Sequence, residues 1–280
     1  MYQDKIKAGV IGWPISHSLS PRLFSYWLKK YKINGLYNAY AVEEKELPGV
    51  LSNLRKEGLA GLNVTVPHKQ TVMEYVDQLS ERASKFGAVN TITLKKDGIL
   101  IGDNTDGFGF IENLKQNYKG LNPFCGVSVV IGAGGAARSI VTTLITVGVK
   151  KIYLINRTRR NAEKLAEDIG GPISILDWSK RHESLADATF VVNTTTLGMN
   201  GKPPLDLTLE ALPKKALVND IVYTPLETQL LKNSKIRGNP TVDGIGMLLH
   251  QARPGFAAWF GKEPIVTKNL RNHVLALGGD

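Results

Sequence analysis

The sequence predicts an α/β protein with a mainly parallel sheet, divided into two domains. Short apolar segments alternate with amphipathic helical segments along most of the chain, a pattern that is typical of βαβ units. A chain of 280 residues is longer than one typical domain. Near its middle, an apolar segment runs directly into a glycine-rich turn that opens a helix, as in a doubly wound sheet.

In the first part of the chain, apolar alternation and turn residues define the elements. The predicted strands are IKAGVIG, LYNAYAV, LAGLNVTV, AVNTITL and ILIGDN. The predicted helices are SPRLFSYWLKKY, residues 43–56 and a stretch through Met73, Val76 and Leu79. Ser20 suits the N-cap of the first helix and Pro21 its first position. Asp97-Gly98 suits a tight hairpin between the last two strands.

From Asp106 onward, strands and helices alternate regularly. The predicted strands are GVSVVIG, KIYLIN, TFVVNTT and ALVNDIV. The predicted helices are FGFIENLKQNY, GGAARSIVTTLITVG, AEKLAEDIG and DGIGMLLHQARPGFAAWFG. Regular alternation of this kind favours a parallel sheet. The C-terminal helices are expected to pack back on the first domain.

Composition excludes several classes of protein. Hydrophobic residues make up 42% and charged residues 21% of the chain, as in a soluble globular protein. The N-terminal segment has no secretory h-region, and no apolar run approaches the ~18 residues of a membrane span. Cys125 is the only cysteine, which excludes an intrachain disulfide and a cysteine-based metal cluster. We therefore expect a cytoplasmic protein.

The net charge, 35 − 25 = +10, would suit a nucleic-acid partner. The basic residues are scattered, however, and no zinc-finger, RRM or basic-region motif accompanies them. A basic surface that attracts small anions explains the charge without nucleic acid. The five histidines have no metal-ligand spacing, so no metal site is predicted.

The segment VVIGAGGAARS predicts a dinucleotide-binding turn. Gly132 permits a tight turn, Gly134 lets a pyrophosphate approach the backbone, and Ala137 lets the helix pack close to the strand. Free N–H groups at the helix N-terminus favour the phosphates. A purely structural βαβ turn is the alternative.

The end of the next strand favours NADP over NAD. NAD-binding proteins usually carry an acidic residue there, which accepts hydrogen bonds from the ribose 2′-OH. YLINRTRR has no acidic residue and places Asn156, Arg157 and Thr158 at that point. A guanidinium can bind a 2′-phosphate through two hydrogen bonds. Arg159 and Arg160 can assist, or can be solvated residues of the following helix.

Short polar motifs in the first half of the chain are not required by the fold. They are HSLSP, NVTVPHK, GAVNT and GDNTDG. Each lies near a strand end or loop, where open α/β sheets bind ligands. Taken singly, Ser20, Asn90 and Asp106 also have ordinary roles as helix caps or turn residues.

The motif NVTVPHK begins as a strand and stops at Pro67. Alternation predicts that Val64 and Val66 face the core, whereas Asn63 and Thr65 face a ligand. His68, at the break, is interpreted as a loop histidine.

Together these motifs resemble those of the shikimate dehydrogenase family, including its quinate/shikimate members. The match continues in order through GAGGAAR, NRT, NTTTLGM, DIVYTPLET and DGIGMLLHQA. The resemblance implies NADPH-dependent reduction of 3-dehydroshikimate to shikimate, a step of chorismate and aromatic amino-acid biosynthesis. It also implies a substrate-binding and catalytic domain, residues 1–105 with 245–280, a Rossmann-like NADP-binding domain, residues 106–244, and a cleft between them.

By this resemblance Lys69 and Asp106 form a catalytic pair. Reduction of a ketone needs a proton for the developing alkoxide. Lys69 can hold the carbonyl oxygen and supply that proton, or can stabilise the charge while a water relays the proton. Asp106 can position the amine.

The resemblance also implies the binding residues. Those expected to contact the substrate are Ser18, Ser20, Asn63, Thr65, Asn90, Tyr223 and Gln251. Those expected to contact the cofactor are Gly132, Ala133, Gly134, Gly135, Ala136, Ala137, Asn156, Arg157, Thr158, Arg160, Thr194, Met199, Ile221, Gly244 and Met247. One position departs from the family pattern: NADP-using members commonly carry a basic residue three positions after the NRT threonine, where this chain has Asn161.

Three other functions are alternatives for a sequence of this kind. A quinate/shikimate dehydrogenase that prefers NAD is the nearest. A catalytically inactive dinucleotide-binding regulator is disfavoured by the intact Lys69 and Asp106. A nucleic-acid-binding module is disfavoured by the missing motifs. For the leading function we expect a small-molecule substrate, no membrane partner and a homodimer.

Overall fold

The computed structural model describes residues 5–54 and 56–276. The chain divides into two compact units, residues 1–109 with 248–280, and residues 110–247. Residues 1–4, 55 and 277–280, which the sequence assigns to the substrate-binding domain, lie outside the described residues. Within the described ranges, no helix has the length and apolar character needed to cross a membrane.

The secondary structure alternates along most of the described chain. Its strands are β1 (Ile6–Gly12), β2 (Gly35–Ala41), β3 (Leu59–Val64), β4 (Gln78–Leu79), β5 (Thr91–Leu94), β6 (Leu100–Asp103), β7 (Val127–Ile131), β8 (Lys151–Ile155), β9 (Ile173–Leu176), β10 (Ala188–Asn193), β11 (Leu217–Asp220) and β12 (Thr241–Val242). Its α-helices are α1 (Ser20–Lys30), α2 (Leu47–Leu54), α3 (Glu81–Phe86), α4 (Asp106–Asn117), α5 (Gly135–Thr146), α6 (Arg159–Ile169), α7 (Gln229–Arg237), α8 (Ile245–Phe260) and α9 (Lys268–Leu275).

The sheet of the first unit has the order β2-β1-β3-β5-β6-β4 and is mixed. β1 runs parallel to β2 and β3, and β4 runs parallel to β6. β5 runs antiparallel to both β3 and β6. The β5–β6 hairpin predicted from Asp97-Gly98 is therefore confirmed.

Aromatic residues pack α8 against α1 in the first unit. The Phe24 ring of α1 lies 5.7 Å from that of Phe256 and 5.8 Å from that of Trp259, both in α8. Trp259 Nε1 donates a hydrogen bond to the Ile92 carbonyl oxygen at 3.1 Å. A Cβ on Gly61 would collide with the Trp259 ring, so this close approach requires glycine. The predicted packing of the C-terminal helix on the first domain is confirmed.

The second unit contains an all-parallel sheet with the order β12-β11-β10-β7-β8-β9. Its central strands are almost continuously buried, because apolar clusters cover both faces of the sheet. One cluster includes Ile140, Val141 and Leu144 of α5. The other includes Leu230 and Leu231 of α7. This is the doubly wound architecture that the regular alternation predicts.

Two local predictions for the first unit are wrong. The helix through Met73, Val76 and Leu79 is absent: residues 71–75 form a short 3₁₀ helix, and Val76 is extended. Leu79 instead belongs to β4, because Gln78–Leu79 pair with Ile101–Gly102 of β6. Ser20 is the first residue of α1 and not its cap, a position taken by Leu19.

Candidate active site

The motif NVTVPHK forms the end of β3 and the turn that follows it. Asn63 and Val64 are buried, but Val66 is 63% exposed, so the prediction that Val66 faces the core is wrong. The reason is that β3 ends at Val64, three residues before the expected break at Pro67. A backbone hydrogen bond from His68 N to Thr65 O, 3.0 Å, then closes the turn that presents Lys69.

His68 anchors this turn from inside the protein. Its side chain is fully buried, and its Nε2 lies 2.7 Å from the Val42 carbonyl oxygen. Because a carbonyl only accepts, Nε2 carries the proton and donates it. His68 is therefore a buried structural residue of the turn that precedes Lys69.

Lys69 and Asp106 form an ion pair in the first unit. Lys69 Nζ donates to Asp106 Oδ2 at 2.6 Å, and the two side chains are 19% and 7% exposed. The other carboxylate oxygen, Oδ1, accepts from Asn90 Nδ2 at 2.8 Å. Asp106 begins α4, where the helix dipole favours a negative charge. The carboxylate is thus held on both oxygens and fixes the position of the ammonium group.

Asn90 links this pair to α8. Its Nδ2 lies 3.0 Å from Thr105 Oγ1 and 3.2 Å from Gln251 Oε1. Its Oδ1 accepts a hydrogen bond from Thr105 N at 2.9 Å. The Asn63 amide joins from β3, with Nδ2 at 3.2 Å from the Asn90 carbonyl oxygen. Residues of the first unit that are far apart in sequence therefore meet in one polar network, which consists of Asn63, Lys69, Asn90, Thr105, Asp106 and Gln251.

The remaining predicted substrate residues lie outside these hydrogen bonds. Ser18 Oγ accepts from the Ser20 backbone N–H at 3.3 Å, and Ser20 is buried at the start of α1. Within the described residues, no hydrogen bond joins the Thr65 hydroxyl to the polar network. Tyr223 belongs to the second unit, and burial raises the pKa of its phenol. Thr105 was not predicted, although its position in GDNTDG, next to Asp106, was a usable signal.

The glycine-rich turn lies between β7 and α5, as predicted. Gly132 has φ +116°, and a Cβ there would collide with Thr194 and Thr195, so only glycine fits this turn. A Cβ on Gly134 would meet no atom within 4 Å, which leaves the backbone accessible. Ala137 is fully buried against the sheet. Each position therefore has the geometry that a pyrophosphate-binding turn needs.

The arginines after β8 differ in their partners. Arg159 donates to Glu163 at 2.8 Å and to Asp177 at 2.6 Å, so it is already held by two carboxylates. Within the described residues, Arg157 and Arg160 have neither a hydrogen bond nor an ion pair, and both are exposed. Arg157 and Arg160 are therefore available to an anionic ligand, whereas Arg159 is not.

Several predicted cofactor residues have structural contacts within the second unit. Thr194 Oγ1 donates to the Ile131 carbonyl oxygen at 2.7 Å. Ile221 and Met247 pack against the apolar cluster that contains Leu217 and Val242. A Cβ on Gly244 would collide with the Ile221 carbonyl, so this glycine is required by the backbone next to it. Ile221 and Met247 therefore have an apolar packing role in this unit.

Asp220 holds two loops of the second unit together. Its Oδ1 accepts from Asn193 Nδ2 and from the Val222 backbone N–H, each at 3.0 Å, and its Oδ2 accepts from Thr228 Oγ1 at 2.7 Å. Burial raises the pKa of this carboxyl from 3.8 to about 6, although its three hydrogen bonds oppose the shift. The side chain is fully buried.

We expect Asp220→Asn to become more stable relative to the wild type as the pH rises. Between about pH 4 and pH 6 the folded protein keeps a proton that the unfolded chain has released, because the folded pKa is about 6. The contribution of the Asp220 carboxyl to the free energy of unfolding therefore has its full value below pH 4 and is lost as the pH rises through 6. Asparagine cannot ionise, and its amide can donate to Thr228 while its oxygen keeps the other two donors.

Urea unfolding of both proteins at pH 5 and pH 8 measures this effect. The difference in unfolding free energy, variant minus wild type, should increase by about 1–2 kcal/mol between the two pH values. A difference that is independent of pH would show that Asp220 is already ionised at pH 5.

Comparison with known proteins identifies the family. The family model described as "Shikimate dehydrogenase substrate binding domain" matches residues 10–92, and the one described as "Shikimate / quinate 5-dehydrogenase" matches residues 125–199. A shikimate dehydrogenase (NADP(+)) of Paramagnetospirillum magneticum is 54% identical over 96% of this chain and 98% of its own length. The chain belongs to the shikimate dehydrogenase family.

Solved structures of this family have the same fold. The shikimate 5-dehydrogenase of Thermus thermophilus, in complex with NADP(H) and shikimate, aligns with a TM-score of 0.85 at 33% identity, over 96% of this chain and 98% of that one. The quinate dehydrogenase of Corynebacterium glutamicum, in complex with NAD, aligns with a TM-score of 0.90 at 31% identity, over 98% and 100%. The predicted family and α/β fold class are confirmed.

Proposed function

We propose that this chain reduces 3-dehydroshikimate to shikimate with NADPH, in chorismate and aromatic amino-acid biosynthesis. The observation that carries the chemistry is the contact of 2.6 Å between Lys69 Nζ and Asp106 Oδ2 inside a buried network of amides and hydroxyls. Curated relatives about half identical to this chain are named as NADP-dependent shikimate dehydrogenases.

Lys69 is the proposed catalytic residue at the ketone oxygen. Its ammonium group donates a hydrogen bond to that oxygen and stabilises the negative charge that develops there in the transition state. The same group holds, at Nζ, the proton that the oxygen needs. Asp106 positions Lys69, because its Oδ1 is held by Asn90 while its Oδ2 accepts from the ammonium group.

The residues around the pair suit a small acid that carries several hydroxyl groups. We propose that Asn63, Asn90 and Gln251 bind the ring hydroxyls and that Ser18, Ser20, Thr65 and Tyr223 bind the carboxylate. Amides and hydroxyls can each donate and accept, so they suit alcohols better than a cluster of charges would. Such a site rejects analogues that lack a hydroxyl, because its buried polar groups would lose their partners.

The second unit fits NADP. The turn at Gly132 and Gly134 and the N-terminus of α5 would hold the pyrophosphate, and Arg157 and Arg160 would hold the 2′-phosphate. When bound, NADPH supplies the hydride. The absence of an acidic residue after β8 removes the group that would favour NAD. We propose the other predicted cofactor residues as contacts of the same dinucleotide.

Arg157→Ala is expected to weaken NADPH binding about 10- to 100-fold and to leave NADH binding nearly unchanged, because only NADPH carries the 2′-phosphate. Arg159→Ala is the matched control, since Arg159 is also exposed but is held by Glu163 and Asp177. Titration of both variants with each dinucleotide, followed by nicotinamide fluorescence, measures the effect. Equal losses in the two variants would contradict the assignment of Arg157.

The direct test of the proposed reaction is consumption of NADPH by the purified protein in the presence of 3-dehydroshikimate. We expect a turnover number in the ordinary range of roughly 1–10³ per second. Binding of NADPH without turnover would instead indicate the inactive regulator that the sequence leaves as an alternative.

Cytoplasmic location and a homodimer are also part of the proposal. The single cysteine agrees with a reducing compartment. Analytical ultracentrifugation of the purified protein tests the dimer.

A further inference from the structure

We propose that Tyr37 is a positioning residue of the substrate site, because its buried hydroxyl holds the Asn63 side chain by a hydrogen bond. No motif of the sequence singles out Tyr37, which lies in the middle of β2. The proposal rests on the proposed function, since it requires Asn63 to contact the substrate.

The contacts of the Tyr37 hydroxyl are buried. Its oxygen lies 2.7 Å from Asn63 Oδ1. Tyr37 and Asn63 are each 5% exposed. Tyr37 therefore joins β2 to a residue of β3 that belongs to the proposed substrate site.

The sheet gives Tyr37 the room to make this connection. β1 lies between β2 and β3, and the register places Tyr37 beside Ala8, which in turn lies beside Gly61. Ala8 is small, so the tyrosine can reach across β1 to Asn63, two residues beyond Gly61 in β3.

The direction of each hydrogen bond follows from the groups involved. The Asn90 carbonyl oxygen can only accept, so the Asn63 atom that lies 3.2 Å from it must be the amide nitrogen. Asn63 Oδ1 therefore faces Tyr37, and the phenol must donate its single proton to it.

This direction sets what Asn63 offers to a ligand. With its oxygen engaged by Tyr37, Asn63 presents the N–H₂ edge on the side of Asn90 and Thr91. A substrate hydroxyl that binds at this edge must accept from Asn63. The Asn90 carbonyl oxygen would repel Oδ1, so loss of the phenol does not turn the amide; it leaves the buried Oδ1 without the donor that holds the side chain in place.

The Tyr37 ring is fixed independently of its hydroxyl. It stacks on Phe24, with ring centroids 3.7 Å apart and planes 11° apart. Burial keeps the pKa of the phenol well above its ordinary value of 10.0, so the hydroxyl stays protonated and remains a donor. Replacing tyrosine by phenylalanine therefore removes the hydroxyl and leaves the packing of the ring in place.

The test is Tyr37→Phe in the full-length enzyme. We expect the KM for shikimate to rise about three- to tenfold, the loss of one buried hydrogen bond, with kcat changed less than about twofold and NADP affinity unchanged. Tyr40→Phe is the matched control, because Tyr40 lies in the same strand and packs on the apolar core without a described side-chain hydrogen bond. Tyr40→Phe should keep the KM of the wild type.

A double-mutant cycle separates positioning from general loosening of the fold. In an Asn63→Ala background Tyr37→Phe should have no further effect on KM, because the amide that it holds is gone. Additive effects on KM, or an unchanged KM in Tyr37→Phe alone, would overturn the positioning role. A wild-type protein without activity on shikimate would overturn the proposed function, and this role with it.

Discussion

Lys69→Ala should reduce kcat/KM for shikimate by about 10³-fold or more, while the Kd of NADP changes less than about twofold. The substitution removes the ammonium group that is proposed to stabilise the charge on the reacting oxygen and to hold its proton. Lys69 and the glycine-rich turn belong to different units, so the residues proposed to hold NADP keep their own contacts. Steady-state kinetics and NADP titration of the same preparation measure both quantities.

The matched control for this variant is Lys45→Ala. Lys45 also forms an ion pair, at 2.8 Å with Glu43, but its side chain is 77% exposed, and such surface pairs contribute little. This control should retain the activity of the wild type. Lys69→Ala with near wild-type turnover would show that Lys69 is not the catalytic residue.

Asp106→Asn is expected to lower kcat by about 10²-fold or more, the second-largest effect. The carboxylate accepts hydrogen bonds on both oxygens, from Lys69 at 2.6 Å and from Asn90 at 2.8 Å. Asparagine has only one oxygen to offer. Whichever way its amide turns, its N–H₂ group would face either the Lys69 ammonium or the Asn90 amide, and two donors would oppose each other. Lys69 would therefore lose its fixed position.

Asp103→Asn is the control for the removal of one carboxylate charge close to the site. Asp103 ends β6, three residues before Asp106, and its carboxylate is bound by Arg82 at 2.5 Å and by Ser80 at 2.5 Å. Asparagine can keep the bond from Ser80 on its oxygen but would place its N–H₂ group against the Arg82 guanidinium. This should lower stability and leave kcat close to that of the wild type. Stopped-flow or steady-state assays combined with thermal unfolding distinguish the two variants. An equal loss of kcat in Asp103→Asn and Asp106→Asn would mean that Asp106 affects activity only by stabilising the fold.

Much of the fold could be predicted because local patterns determine it. Short buried strands alternate with helices in the second unit. The turn at Gly132 has φ +116°, a backbone conformation that favours glycine, so the residue type itself marks the turn. Gln78–Leu79 were mispredicted as helix because their strand pairing with β6 comes from residues more than 20 positions away. Val66 was mispredicted because alternation does not reveal where a strand ends.

The site was only partly predictable for the same reason. Motifs marked Lys69 and Asp106, which are 37 residues apart and meet at 2.6 Å. Tyr37 belongs to no motif, and its importance depends on the small Ala8 of β1 beside it. The difference between Arg157 and Arg159 depends on Asp177, which is 18 residues from Arg159. Hydrogen-bond partners of this kind are set by tertiary structure.

We propose that this chain is specific for shikimate and NADP. This specificity is tested by comparing kcat/KM for oxidation of shikimate with NADP⁺ against oxidation of quinate with NAD⁺, with one preparation of the wild-type protein. We predict that the first value exceeds the second by at least about 100-fold, since the arginines after β8 suit the 2′-phosphate and no acidic residue there favours NAD. A higher value for quinate with NAD⁺ would contradict the claim.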